Sequence, residues 1–156
     1  MLQDGKGKME NDFHPNCFAC GSNNGAGLRL KFHKQEDGSV LGYFFSDPRF
    51  EGYPGMVHGG IIATLLDSAM THCLLRNGVP ALTGRLSIRY SLPIRTGMVI
   101  KLEARVVNQS HGVFMLEGKA FVEGKKMASA EARYMLSDEF NHFPETIPGI
   151  EDVPFS

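Results

Sequence analysis

Gly55-Met56-Val57-His58-Gly59-Gly60-Ile61-Ile62-Ala63-Thr64-Leu65-Leu66-Asp67-Ser68-Ala69-Met70-Thr71-His72-Cys73-Leu74-Leu75-Arg76-Asn77 is the stretch that decides the fold of this chain. From about His58 to Asn77 it reads as one long helix, stopped by Gly78 and Pro80. It is apolar or small almost all the way round, with one carboxylate, Asp67, inside it. An acid on such a helix is costly unless something pairs with it or uses it. Gly60, Thr64, Asp67, Ser68 and Thr71 fall within an arc of roughly 100°. A solvated helix face usually carries Lys, Arg or Glu. This stripe carries one charge and small residues, which leave room for something to lie along it.

On either side the pattern changes to strands. Leu28 to Lys34 and Ser39 to Phe45 alternate around the turn Glu36-Asp37-Gly38. Residues 46–57, with Pro48, Gly52, Pro54 and Gly55, read as a loop. Beyond the helix come four strand-like runs, roughly 82–91, 98–108, 113–122 and 126–136. They are separated at Pro93/Thr96-Gly97, His111-Gly112 and Glu123-Gly124. Two strands, one helix and four strands predict an α+β domain, an antiparallel sheet curled round a central helix. A single sheet covers only part of such a helix, so a second subunit is expected against the rest. Three parts are expected: a flexible N-terminus over 1–12, the domain over 13–137, and an irregular tail over 138–156 with Pro144, Pro148 and Pro154.

Composition removes several function classes. A net charge of −1 leaves no footprint for nucleic acid. No apolar run reaches the roughly 18 residues that span a bilayer, so no membrane partner is expected. The start of the chain lacks the apolar block of a signal peptide, which makes a cytoplasmic location the expectation. Three cysteines, an odd number, argue against a disulfide framework.

The helix start adds a second chemical element. Its first amides have no helical partner, and the macrodipole puts partial positive charge there. Gly59 and Gly60 let a ligand come close to the backbone. Such a tip can polarise a carbonyl oxygen. Gly59 and Asp67, however, are eight residues apart, about 12 Å along one helix. One helix cannot easily offer both to one carbon. Two antiparallel helices about a two-fold axis can, and the expected site is therefore shared between subunits.

Phe50-Glu51-Gly52-Tyr53-Pro54-Gly55-Met56-Val57-His58-Gly59-Gly60, with Asp67 nine residues after His58, resembles the hotdog-fold acyl-CoA thioesterases of the PaaI-like and THEM-like branch. Thr83-Gly84-Arg85-Leu86-Ser87-Ile88-Arg89-Tyr90-Ser91-Leu92-Pro93-Ile94 and the upstream Cys17-Phe18-Ala19-Cys20-Gly21 extend the likeness over about 14 to 136. The resemblance implies a hotdog fold and hydrolysis of acyl-CoA thioesters by a homodimer or a dimer of dimers, with no cofactor. It implies Asp67 as general base or nucleophile, Gly59 as the amide that polarises the carbonyl, His58 at the helix entry, and Thr83 assisting the carboxylate or its water. Gly60, Thr64 and Ser68 would line the substrate groove. Read from the residues alone, Arg85, Arg89 and Arg95 are candidates for the phosphates of coenzyme A, although arginines on strands are more often solvated or paired. Related enzymes often carry Asn where this chain has Gly52.

Two other functions stay open. A non-catalytic acyl-CoA-binding module has no use for a carboxylate beside a thioester. A hotdog dehydratase or hydratase needs a His paired with an acid in another arrangement; His142-Phe143-Pro144 resembles its motif but lies in the tail. No metal ligand set is assigned. His14, Cys17 and Cys20 have suggestive spacing, but zinc needs a fourth ligand. His33, His72 and Cys73 are candidates only by elimination, and the plainer reading is a loop of small, partly buried thiols.

Overall fold

The computed structural model describes residues 14–137, 139 and 146–150. The expected flexible start, the His142-Phe143-Pro144 run and the end of the tail lie outside the described residues. Strands β1 (Phe32–Lys34) and β2 (Val40–Phe45) come first, then a single 3₁₀ turn over Pro48–Phe50 and helix α1 (Gly59–Arg76). Strands β3 (Leu82–Tyr90), β4 (Val99–Ser110), β5 (Val113–Val122) and β6 (Lys125–Met135) follow. They form one antiparallel sheet in the order β1-β2-β4-β5-β6-β3. The α+β architecture is the one the sequence predicts, and the element bounds agree within a few residues.

Small residues decide how closely the helix sits on the sheet. β5 alternates strictly between half-buried and buried positions, as a strand with one covered face must. On the covered face, Gly118 pairs with Ala130, Leu116 with Ala132 and Ala120 with Ala128. A Cβ built on Gly118 would lie 3.4 Å from Met70 Cγ and 3.5 Å from Leu66 Cδ2. The helix therefore rests almost on the backbone of the central strands. Leu65, Leu66, Met70 and Leu74 are fully buried there, each worth roughly 1.5–3 kcal/mol of transfer free energy.

The helix ends are built locally. His58 is the N-cap, its Nδ1 accepting from the Gly60 amide at 2.8 Å. Asn77 closes the other end. Its side-chain amide donates to Cys73 O at 2.7 Å and to Gly38 O at 3.0 Å, which ties the β1–β2 turn to the helix. Gly78 follows with φ +83°, the left-handed position a helix stop requires.

Two regions differ from the sequence reading. The first strand is only three residues long. Leu28 and Leu30 are buried as the alternation predicts, but their amides donate to Phe18 O and Ala19 O rather than to β2. Arg29, at φ +55°, breaks the extended run between them. The tail is also anchored where it is described. The buried Gln109 donates to Ile147 O and Ile150 O at 3.0 Å and accepts from the Ile147 amide at 2.8 Å, and Ile147 joins the core.

Candidate active site

Asp67 lies midway along α1 and is half-buried. Its carboxylate is held, not free. Thr83 Oγ1 donates to Asp67 Oδ1 at 2.7 Å, and the Tyr134 phenol donates to the same oxygen at 2.6 Å. The phenol also lies 2.9 Å from the Asp67 carbonyl. It has a single proton, and the shorter contact to the charged acceptor takes it. Thr71 Oγ1 donates in turn to the phenol oxygen at 3.3 Å. Among the described residues Oδ2 accepts no hydrogen bond, so it is the oxygen left for a substrate or a water.

Tyr134 is fully buried. Burial, the adjacent Asp67 charge and the hydrogen bond to it push its phenol well above the ordinary tyrosine range. Raised in this way, the phenol keeps its proton at neutral pH and donates a hydrogen bond to the carboxylate. No sequence motif pointed to Tyr134. The signal available was a lone Tyr among Ala128, Ala130 and Ala132 on the covered face of β6, since a buried phenol needs a partner.

A bulge delivers Thr83 to this cluster. Thr83 pairs with Tyr134 while Arg85 pairs with Arg133, so Gly84 is an extra residue in β3. Beyond it, Leu86, Ile88 and Tyr90 oppose Ala132, Ala130 and Ala128 on the helix side. Strict alternation back from Arg85 would have turned Thr83 outward. The bulge places Thr83 inward and leaves Arg85 outward, in a shallow cleft with Ser87, Glu131 and Arg133. Within one chain, Arg85 is thus on the opposite sheet face from Asp67, and Arg89 follows it.

The helix tip forms a second element. The Gly59 amide donates to no group among the described residues. The Gly60 amide is occupied by His58 Nδ1, so Gly59 is the available donor. Tyr90 fixes the tip, its phenol donating to Gly59 O at 2.8 Å. Beside it opens a groove of about 800 Å³ lined by Tyr53, Met56, His58, Gly59, Ile62 and Leu92, among others. Gly52 packs on His58, where a Cβ would come within 3.2 Å of His58 Cα. Glu51 accepts from the Gly55 amide and braces the same loop.

The remaining candidates divide. Thr64 is half-exposed on the stripe, its hydroxyl donating back to Gly60 O at 2.9 Å. Ser68 is buried and sits at the edge of the stripe rather than on its open part. The helix runs unbroken from Gly59 to Arg76, so the tip and the carboxylate of one chain stay about 12 Å apart. Among the described residues, no helix is long and apolar enough to cross a membrane.

Comparisons with known proteins agree with this architecture. Residues 54–129 match the Thioesterase superfamily family model. Acyl-coenzyme A thioesterase THEM4 of Mus musculus is 32% identical over 75 residues, 48% of this chain and 32% of its own length. The bovine THEM4 is 24% identical over 132 residues, 84% of this chain and 52% of its own. The chain therefore spans between a third and about half of these relatives. The 3-hydroxyacyl-(acyl-carrier-protein) dehydratase FabZ of Aliarcobacter butzleri is 30% identical over 118 residues, 65% of this chain and 80% of its own. A crystal structure of a thioesterase superfamily protein superposes with TM-score 0.71 at 25% identity, covering 75% of this chain and 61% of that one. A Streptococcus mutans protein solved with acetyl CoA bound gives TM-score 0.65 at 21% identity, covering 69% and 88%. With one helix cradled by a six-stranded antiparallel sheet among the described residues, and the Thioesterase superfamily model matching across helix, tip and central strands, the chain has the hotdog fold and is similar to the thioesterases and dehydratases built on it.

Proposed function

We propose that this protein hydrolyses acyl-CoA thioesters, with Asp67 as the catalytic carboxylate. One observation carries the reading: a half-buried carboxylate is clamped on Oδ1 by Thr83 and Tyr134, while Oδ2 takes no hydrogen bond among the described residues. Two donors on one oxygen fix the orientation of the carboxylate and leave the other oxygen to react. As general base, Asp67 takes a proton from water as the water oxygen attacks the thioester carbon. As nucleophile, Oδ2 attacks that carbon itself, and water then hydrolyses the resulting anhydride. In both cases the carbon–sulfur bond breaks, coenzyme A leaves as thiolate and the acyl group as carboxylic acid. The Gly59 amide of a second copy meets the developing oxyanion.

The second copy is part of the proposal. Tip and carboxylate cannot reach one carbonyl within a single helix. β3 is an edge strand, and its side chains are mostly exposed. Leu82 and Tyr90 are each more than half exposed on it. A homodimer, or a dimer of dimers, that covers β3 brings the stripe of one helix beside the tip of the other. His58, Gly60, Thr64 and Ser68 then border the groove. Arg85 and Arg89, outward in one chain, are available to coenzyme A phosphates held across that interface. The cytoplasmic location belongs to the same proposal.

The FabZ likeness keeps one alternative, hydration or dehydration of a 3-hydroxyacyl or enoyl thioester. His58 bears on it: with Nδ1 accepting from Gly60, the neutral ring carries its proton on Nε2 and faces the groove region as a donor rather than as a free base. The deciding experiment follows thiol release from a panel of acyl-CoAs, beside the absorbance of enoyl-CoA. Thiol release that disappears in Asp67→Asn supports the hydrolase. Enoyl turnover without thiol release establishes the alternative, and neither activity leaves a binding module.

A further inference from the structure

The loop before β1 gathers the ligands that the sequence left dispersed. His14, Cys17 and Cys20 each offer one donor atom, all within 4.8 Å of one another. Cys20 Sγ lies 3.4 Å from His14 Nδ1. In a tetrahedral zinc site, bonds of about 2.3 Å to sulfur and about 2.0 Å to nitrogen put an S···N edge at about 3.5 Å and an S···S edge at about 3.8 Å. The His14–Cys20 contact already has that length.

The backbone is shaped for this convergence. The Cys17 amide donates to His14 O at 3.3 Å, and the Gly21 amide donates to Cys17 O at 2.8 Å. This turn brings both thiols to one side. It closes so tightly that a Cβ on Gly21 would lie 2.4 Å from Cys17 N and 2.7 Å from Pro15 O. Only glycine fits there. Neither cysteine is in a disulfide, and both are half-buried. Next to His14 stands His72 of α1, 5% exposed. Its ring centroid is 6.1 Å from that of His14 and 4.9 Å from that of Phe32.

We propose that His14, Cys17, Cys20 and His72 form a structural zinc site that staples the N-terminal loop to α1. Two thiolates and two imidazoles are a donor set suited to zinc, and four protein ligands leave no open position for chemistry. The fourth bond forms as the two imidazoles turn toward one ion, and each thiol gives its proton to solvent on binding. The site is separate from Asp67. Five residues along a helix turn through about 140° to the opposite side, so His72 faces the loop while Asp67 faces Tyr134. The proposal is independent of the hydrolase reading.

The test is elemental analysis of the untagged full chain purified under reducing conditions, with circular dichroism to confirm folding. About one zinc per chain is expected, and its removal by chelator should lower the unfolding temperature. Cobalt substitution should give the intense visible bands of a tetrahedral ion together with a thiolate charge-transfer band. Cys20→Ser and His14→Ala should each lose the metal while staying folded. His72→Asn should weaken binding at least about tenfold in competition with a chromophoric chelator. Folded protein that stays empty after zinc reconstitution overturns the site. So does an octahedral cobalt spectrum without sulfur charge transfer, or a Cys17–Cys20 disulfide in the fresh protein, seen as a mass two daltons below the reduced chain with no zinc bound. Unchanged affinity in His72→Asn overturns the assignment of the fourth ligand.

Discussion

Asp67 and His72 stand five residues apart on one helix and face opposite ways. Asp67 faces the edge of the sheet. Its polar neighbours are the hydroxyls of Thr83, Tyr134 and Thr71, and its side is only half covered. His72 faces inward, against Phe32 and the loop that carries His14, Cys17 and Cys20. An oriented acid with one oxygen left over suits turnover. A buried imidazole next to the ring of a loop histidine suits holding that loop in place. On the two proposals one helix serves two purposes, and its 3.6-residue period separates them physically. Changes on the first face should alter rate and spare folding, and changes on the second should do the reverse.

The strongest way to break this contrast is Asp67→Asn. The amide oxygen can still accept from Thr83 and Tyr134, so the unfolding temperature should hold. Thioester hydrolysis should fall by about 10³-fold, within the range a positioned base supplies. Undiminished thiol release by the purified variant would remove Asp67 from the chemistry.

Tyr134→Phe comes next. It deletes a donor to a charged acceptor, a loss of about 1.5–3 kcal/mol, which predicts a roughly 10- to 100-fold drop in kcat. The fall should exceed any change in KM, since the phenol touches the carboxylate and not the substrate. Steady-state kinetics on one acyl-CoA settles it. Cys20→Ser is the control from the other face, with kcat and KM as in the parent and a lower unfolding temperature.

A third substitution tests the packing that both faces depend on. Gly118→Val puts branched methyls where Met70 and Leu66 already lie at contact distance from a single Cβ. Overpacking of this kind costs about 1–3 kcal/mol, measurable as a reduced midpoint in urea. An unchanged midpoint would mean that the helix is not seated as closely as the Gly118–Ala130 pair implies.

The smallest effect is at alkaline pH. Burial pushes the Cys73 thiol from the ordinary 9.0 up to about 12, and Tyr134 is also raised. Above pH 9 the unfolded chain releases these protons before the native state does, so unfolding is favoured as pH rises. Stability should be level in this respect below about pH 9 and decline from there toward pH 12. In Cys73→Ala the early part of that decline should shrink, as urea titrations between pH 8 and pH 11 would show.

Much of the fold was legible because its signals are short-range. The helix stop at Gly78, the His111-Gly112 and Glu123-Gly124 turns and the alternation along β5 each need only neighbouring residues. Leu28 and Leu30 show the limit. Their burial followed from alternation, but their hydrogen-bond partners are in the Cys17–Gly21 loop, which no local pattern specifies. The site divides the same way. Asp67 was conspicuous as the lone carboxylate on an apolar helix. Tyr134 is 67 residues further on and meets it only through the sheet.

By itself the sequence determined the elements, their order, and which helix residue carries an expensive charge, because periodicity and turn chemistry act over a few residues. Only the tertiary structure decided that Gly84 is an extra residue in β3 and so turns Thr83 toward Asp67 while Arg85 faces out. It also decided that His14, Cys17 and Cys20 converge in front of His72. Register and loop closure are set by contacts between distant segments. A one-residue slip reverses every side chain beyond it, and no local stretch records which register the whole sheet adopts.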